Sequence, residues 1–279
     1  MASVKLIADS GATKVEWGLL SGEKRKVITT KGISPYFLSP EAIQELLEKE
    51  LRPRLKTEID EVYFYGTGLF DPANVKLMKK VLKKVFPGSY IYADHDLTGA
   101  ARALCGREKG IACNLGTGMF SCYYDGKKIV KSRPGIGYAL GDEGSGAFLG
   151  KKVIQYYLYE IFDEDLHYRF SKKYAIDRAA ILENVYRKPF PNRYLASFAL
   201  FLAENRGHYM IENIIEDGLN EFFFFHLCKY TEAWRYPINF VGSVAFGFKD
   251  VLQQLCRSYE FELGKIIKKP IQALLDYHS

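Results

Sequence analysis

Short apolar runs, broken by turns of small residues and followed by amphipathic stretches, set the pattern of this 279-residue chain. Val4 to Ala8, Val15 to Leu20 and Arg25 to Thr30 predict three strands, the second placing Val15, Trp17 and Leu19 on one face by alternation. Ser39 supplies a cap and Pro40 a first turn for a helix that aligns Ile43, Leu46, Leu47 and Leu51. Val62 to Tyr65 reads as a buried strand. Asp71-Pro72 repeats the cap, opening a helix with Val75, Met78, Leu82 and Val85 inward, and a strand at Tyr90 to Ala93 then leads into a short helix from Leu97 to Cys105.

From Gly110 the order restarts. Strands are predicted at Ile111 to Leu115, Met119 to Tyr124 and Lys128 to Lys131, the last two joined by the hairpin pair Asp125-Gly126. Helices follow near 145–162, 178–187, 193–204 and 207–230, then a strand at Ile238 to Val241, a helix from Ala245, a strand at Tyr259 to Leu263 and a closing helix from Pro270 to Tyr277. The halves share no repeat of residues, yet a three-strand meander followed by helix, strand, helix, strand recurs. That is a duplicated α/β architecture with extra helices inserted in the second copy.

The two halves also share a turn. Asp9-Ser10-Gly11-Ala12-Thr13-Lys14 leaves the first strand, and Asn114-Leu115-Gly116-Thr117-Gly118 leaves the run Gly110 to Cys113. Short side chains there let backbone N–H groups approach an anion, and each Thr adds a hydroxyl donor. Two such turns predict a polyphosphate pinched between two lobes that can close.

Composition narrows the setting. A hydrophobic content of 48% fills a core of one or two domains, and the charge of +6 comes from scattered pairs and triplets such as Lys24-Arg25-Lys26 and Lys172-Lys173. Those runs read as solvated faces, so no nucleic-acid partner is expected, while an anionic substrate suits the mild positive bias. The five cysteines form no C-x-x-C pair and lie in apolar or small-residue contexts, which predicts buried thiols and a cytoplasmic location. Lys5 and Asp9 interrupt the first apolar run, so no signal pattern is read, and no stretch suggests a membrane span. With 20 Tyr and 19 Phe, many in the segment Gly207 to Tyr230, a homodimer is expected.

Four motifs occur in order: the turn at Asp9 to Lys14, Leu115-Gly116-Thr117-Gly118, Gly141-Asp142-Glu143-Gly144-Ser145-Gly146 and Val241-Gly242-Ser243-Val244-Ala245. Together, over nearly the whole chain, they resemble the BadF/BadG/BcrA/BcrD-type ATPases of the actin, Hsp70 and sugar-kinase superfamily, and among them the N-acetylglucosamine kinases. The resemblance implies two ribonuclease-H-like lobes with an ATP cleft between them: an N-terminal lobe of residues 1–109 joined by a returning helix at 268–279, and a C-terminal lobe of residues 110–267. It implies that Ser10, Gly11, Thr13 and Lys14 hold the β- and γ-phosphates and that Asp9 orients Mg²⁺ through water. Gly116, Thr117 and Gly118 would bind phosphates from the opposite lobe, with Gly242, Ser243 and Gly247 beside the adenosine.

Phosphoryl transfer needs a carboxylate to accept the acceptor hydroxyl's proton. Asp96, where a strand meets a helix and in the pattern Asp-x-x-Gly with Gly99, resembles the acid that sugar kinases carry there; a plain helix cap is the simpler reading. Asp94 remains a competitor, because residues 94 and 96 share a face if the strand continues. Asp142, supported by Glu143, resembles the loop acid that holds sugar hydroxyls, with Gly135 and Ile136 nearby as further sugar contacts.

Four positions depart from the N-acetylglucosamine kinase pattern. Ala12 stands for a Gly, Met119 for a Ser, Ile136 for a Trp and Ser34 for a sugar-binding Asn. The resulting expectation is ATP- and Mg²⁺-dependent phosphorylation of an amino sugar, N-acetylglucosamine at its 6-hydroxyl first. Two alternatives stand beside it: an ATPase activator of a 2-hydroxyacyl-CoA dehydratase with a shared iron–sulfur cluster, and a non-catalytic sugar or nucleotide sensor.

Overall fold

The computed structural model describes residues 3–11 and 13–279. Ala12, one of the four departures, lies outside the described residues. The chain divides into two compact units, the first made of residues 1–108, 126–128 and 269–279, the second of 109–125 and 129–268.

The first unit contains strands β1 (Val4–Ser10), β2 (Lys14–Ser21), β3 (Lys24–Lys31), β4 (Glu61–Gly66) and β5 (Tyr90–His95). Its helices are α1 (Pro40–Leu46), which continues as a π-helical turn over Leu47–Leu51, then α2 (Pro72–Val85) and α3 (Asp96–Cys105), with the last helix of the chain returning at Ile271–Tyr277. The strands lie in the order β3-β2-β1-β4-β5. The two hairpins pair antiparallel, whereas β1, β4 and β5 run parallel.

Alternation along each strand sorts the helices onto the two faces. Leu6, Ala8, Val15, Trp17, Val62 and Phe64 pack with Ile43, Leu47, Met78 and Leu82 of α1, its continuation and α2. On the other face, Gly18 admits Leu275 of the returning helix, and Gly99 of α3 sits over Tyr65, where an added Cβ would come within 2.9 and 2.8 Å of those side chains. The helix starts follow the expected caps. Ser39 accepts the Ala42 N–H and Asp71 the Ala73 N–H, each with Pro in the first turn.

The second unit repeats the sheet. Strands β6 (Lys109–Leu115), β7 (Met119–Asp125), β8 (Ile129–Pro134), β9 (Ile238–Val241) and β10 (Leu263–Ile267) lie in the order β8-β7-β6-β9-β10. The sense of pairing matches the first sheet, antiparallel in the meander and parallel beyond it. Position for position, β1 corresponds to β6 and β4 to β9. Between β8 and β9 run α4 (Gly146–Leu158), α5 (Glu164–Tyr174), α6 (Arg178–Tyr186), α7 (Pro191–Ser197), α8 (Ala199–Glu204) and α9 (Tyr209–Phe225). After β9 come α10 (Ser243–Gly247) and α11 (Lys249–Ser258), and the returning helix of the first unit is α12.

Several expected elements differ. The strand read at Tyr259 to Leu263 is instead Leu263–Ile267. Tyr259 and Phe261 alternate because they pack on Phe223 of α9, not because they pair in a sheet, and Glu260 between them has φ of 57°. The long helix read over 207–230 ends at Phe225 and gives way to two 3₁₀ turns at Leu227–Lys229 and Thr231–Trp234, and His226 at the junction bonds its ring to Glu143. The helix read over 193–204 is two helices, and α5 was not foreseen, although Asp163 caps it and Leu166 and Phe170 fill the core. The helix read from Ala245 starts at Ser243 and is followed by a separate α11.

Helix α4 touches the backbone of α7 at Gly150, where a Cβ would lie 1.9 Å from the Leu195 carbonyl oxygen. Backbone cannot yield as a flexible side chain can. Gly150→Ala is expected to destabilise the protein by about 1–3 kcal/mol, the usual range for overpacking a tight contact, as measured by urea denaturation.

Candidate active site

In the first unit the site begins at the end of β1. Asp9 pairs in register with Glu16 of β2 and Tyr65 of β4, so its carboxylate emerges in the middle of the sheet. Ser10 next to it is buried and donates its hydroxyl to the Ile33 carbonyl at 3.0 Å. The turn is closed by the Gly11 N–H on the Lys14 carbonyl at 3.0 Å, leaving Thr13 and Lys14 exposed. Lys14 Nζ reaches Glu16 Oε1 at 3.1 Å, and Lys269 Nζ reaches the same oxygen at 2.5 Å.

These contacts divide the acids into two kinds. Burial works to raise Glu16, but hydrogen bonds from Lys269 and Lys14 outweigh it and hold the carboxyl below its usual range. Asp9 has no such partner. Burial first, then the charges of Asp96 and Glu16, push its pKa up to about 7 against the opposing pull of Lys14 and Lys269. Asp96 opens α3 and is also raised, by burial, although His95 and the Leu97 N–H, which donates to Oδ1 at 2.9 Å, work the other way.

Asp94 and Asp96 part company here. Strand β5 runs on to His95, as the competing reading required. Both Asp94 oxygens are nevertheless engaged locally, Oδ2 by the Tyr92 hydroxyl and Oδ1 by the His95 N–H, each at 2.8 Å. Asp96 is the one whose charge acts on Asp9.

Ser34 is 3% exposed, with its hydroxyl against Gly68 and its carbonyl accepting the Phe37 and Leu38 N–H groups. Tyr36, which also lies against Gly68, is exposed, as are Phe37 and Phe70, the last within 5.9 Å of the His95 ring. In the sequence Tyr36 and Phe37 stood out only as neighbours of Ser34, and nothing marked Phe70.

In the second unit the Gly116-Thr117-Gly118 turn is tied to the start of α4. Gly146 N–H donates to the Gly116 carbonyl at 2.7 Å and Ala147 N–H to the Thr117 carbonyl at 3.0 Å. Gly116 and Thr117 then form one wall of a pocket of about 350 Å³ with Ser243, Gly247, Arg193 and Leu200. Gly242 has φ of 125°, and a Cβ there would lie 2.2 Å from the Leu115 carbonyl oxygen, so only glycine lets β9 turn into this wall. The sequence reading reached Gly116, Thr117, Ser243 and Gly247 but missed Arg193 and the α7–α8 wall, which carries no motif.

Asp142 adopts φ of 60° and accepts the Gly137 N–H at 3.1 Å. Its carboxylate lies where Cβ atoms of Gly135 and Gly118 would be, at 2.0 and 3.3 Å, which ties Gly118, Gly135 and Asp142 into one cluster. Burial raises its pKa, against the Gly137 hydrogen bond. Glu143 is held by His226 Nε2 at 2.9 Å, a partner contributed from the end of α9 that the sequence did not signal. Ile136 beside this loop is 64% exposed, whereas the Met119 side chain is buried in the core of the unit.

A divalent cation fits the first unit. Mg²⁺ keeps several waters and takes one or two carboxylates plus substrate phosphates, so it needs no cage of protein ligands. Among the described residues no group of three or more His, Cys, Asp or Glu could hold a metal alone. Asp9, part-buried without a direct cationic partner and with its pKa near 7, is the kind of group such an ion would ionise.

Two α/β sheets of one order and pairing, each ending in a glycine turn, define an actin-like ATPase fold of the sugar-kinase type. A Porphyromonas gingivalis crystal structure that carries the provisional name N-acetylglucosamine kinase is 37% identical, covers 98% of each chain and superposes with a TM-score of 0.92. A Chromobacterium violaceum protein with the same provisional name is 17% identical with a TM-score of 0.72, covering 99% of each chain. A Streptomyces griseus glucokinase of the ROK family, solved with glucose and AMPPNP, is 14% identical with a TM-score of 0.51 and covers 99% of this chain and 97% of its own. No family model and no curated protein matches the sequence. The chain belongs to the N-acetylglucosamine kinase-like family of BadF/BadG/BcrA/BcrD-type ATPases, a group of sugar kinases. No helix among the described residues is long and apolar enough to cross a membrane.

The raised acid has a measurable consequence. Between an unfolded pKa near 3.8 and a folded value of about 7, the folded state holds a proton at Asp9 that the unfolded state has lost. Stability in metal-free buffer should therefore fall as pH rises through this window, by up to about 1.4 kcal/mol per pH unit, and level off above it. Asp9→Asn is expected to flatten that slope in thermal melts between pH 5 and 8, and an unchanged slope would place the titrating acid elsewhere.

Proposed function

We propose that the protein transfers the γ-phosphoryl group of ATP to a hydroxyl of an N-acetylated amino sugar, N-acetylglucosamine at its 6-hydroxyl first. The observation that carries this reading is the pairing of two part-buried acids, Asp9 and Asp96, in which only Asp9 lies on a phosphate-type turn. One suits a metal and the other a proton.

In this reading the pocket lined by Gly116, Thr117, Ser243 and Gly247 takes the adenosine and its nearer phosphates, with Gly242 shaping the wall. Ser10, Gly11, Thr13, Lys14 and Gly118 serve the phosphate chain, and Asp9 holds the hydrated Mg²⁺, which supplies charge neutralisation for the departing phosphate oxygens. Asp96 accepts the proton of the acceptor hydroxyl. The acceptor oxygen bonds to the γ-phosphorus as the bond from that phosphorus to the bridging oxygen breaks, so that ADP leaves and the proton passes from Asp96 to solvent.

Asp142 orients sugar hydroxyls, with Gly135 giving it room and Glu143 and His226 bracing the loop. Ile136 and the neighbouring Leu140 are both exposed and offer an apolar contact to the sugar. The iron–sulfur alternative gains nothing from the structure, since four of the five thiols are buried and Cys228 is only half-buried. The sensor alternative leaves two raised acids without a task.

Asp96→Asn should lower turnover by about 10²- to 10⁴-fold while MgATP still binds, the range for removing a positioned base. A coupled ADP-release assay over amino sugars, hexoses and uronates measures both this and the acceptor. Near-normal turnover in the variant would assign the base elsewhere, and ADP release with no acceptor preference would remove the sugar assignment.

A further inference from the structure

Glu16 is 5% exposed, yet it carries two lysines on one oxygen, Lys14 at 3.1 Å and Lys269 at 2.5 Å. A single buried carboxylate is satisfied by one cation together with its remaining hydrogen bonds, so the second lysine calls for a reason. The two differ in origin. Lys14 belongs to the phosphate-type turn, two residues before Glu16 on the same face of β2, whereas Lys269 lies between β10 and α12, where the chain re-enters the first unit.

On the reading above, Lys14 leaves Glu16 for the phosphates of MgATP. With Lys14 alone, that move would strand a buried charge beside Asp9, its cross-strand neighbour, and the cost of an unpaired buried carboxylate would be set against nucleotide affinity. Lys269 removes that cost, because it already occupies the same oxygen at the shorter distance.

We propose that Lys269 is a positioning residue for nucleotide binding: it keeps Glu16 neutralised so that Lys14 is free to engage phosphate. Lys269 acts through Glu16 and does not itself touch the nucleotide. The other charged groups acting on Asp9 are Asp96 on α3 and Glu16 and Lys14 on β2, so Lys269 is the sole member of this set contributed from outside β2 and α3.

This inference rests on the proposed use of ATP, and direct binding separates the two. Titration calorimetry with Mg-AMPPNP is expected to show Lys269→Met binding about tenfold more weakly than the unchanged protein, with Lys269→Arg close to it. In a Glu16→Gln background the acid that needs neutralising is gone, and adding Lys269→Met should change the dissociation constant by less than about twofold. Glu16→Ala serves if the amide variant does not fold. An equal loss in both backgrounds would mean that Lys269 contacts phosphate directly and would overturn the proposal, as would no loss in the unchanged background. If the unchanged protein fails to bind Mg-AMPPNP, the ATP reading falls first and this one with it.

Discussion

Charge burial at the end of β1 governs the first unit. A central strand flanked on both sides leaves little water around a carboxylate, and three acids meet there: Asp9, Glu16 and Asp96. The chain treats them unequally. Glu16 is paired with two lysines, while Asp9 and Asp96 keep raised pKa values because burial outweighs the pull of the nearby cations, none of which bonds them directly. Such an imbalance costs stability unless something positive arrives, and perturbed acids without a structural partner are what functional sites are made of. The packing around them follows the same need. Gly99 lets α3 settle onto Tyr65 so that Asp96, at the helix start, reaches the neighbourhood of Asp9.

The second unit answers a different problem with the same sheet. Asp9 is the sixth residue of β1 and Asn114 the sixth of β6, and the residues paired with them, Tyr65 and Val241, precede Gly66 and Gly242. An acid in one copy is an amide in the other. An amide carries no charge to desolvate, which on the proposed reading suits the nucleoside side of the site, as a carboxylate suits the metal side. In place of lysines the second unit uses carbonyls and glycines: α4 is docked by two of its N–H groups onto the Gly-Thr-Gly turn, and Asp142 is seated in space that glycines vacate.

How much of this could be read beforehand depended on the range of the contact. The meanders, the two proline-started helices and the glycine turns are local, and each carries its own period or cap, so the duplication was legible as an order of elements. Residue equivalences such as Asp9 with Asn114 were not, because a repeat preserved only in strand order and register leaves no shared letters. Tyr259 and Phe261 misled for a related reason, since alternation against α9 looks the same as alternation in a sheet. At the site, the acids and glycines stood out as exceptions within apolar runs. Arg193, His226 and Lys269 did not, for each is brought in over a long stretch of chain by packing that no motif encodes.

The departures from the family pattern sort themselves by what their side chains meet. Met119 faces the core, where it fills volume and only its carbonyl, accepting the Gly135 N–H at 3.3 Å, bears on the Asp142 loop. Ser34 is buried against Gly68, and its carbonyl closes the turn by accepting the Phe37 and Leu38 N–H groups. Ile136 alone among these presents its side chain to solvent, pinned against Gly141, where a Cβ would lie 2.6 Å from it. A branched aliphatic in place of a large ring offers less area to stack on a sugar but still excludes water from one side of it. The Met119 carbonyl meets Gly135 of the Asp142 loop, on the side proposed for the sugar. On the proposed reading, selection of the acceptor and transfer of the phosphoryl group are therefore carried by separate residues, and change at Ile136 acts on the first while leaving the charge arrangement of Asp9, Glu16 and Asp96 as it is.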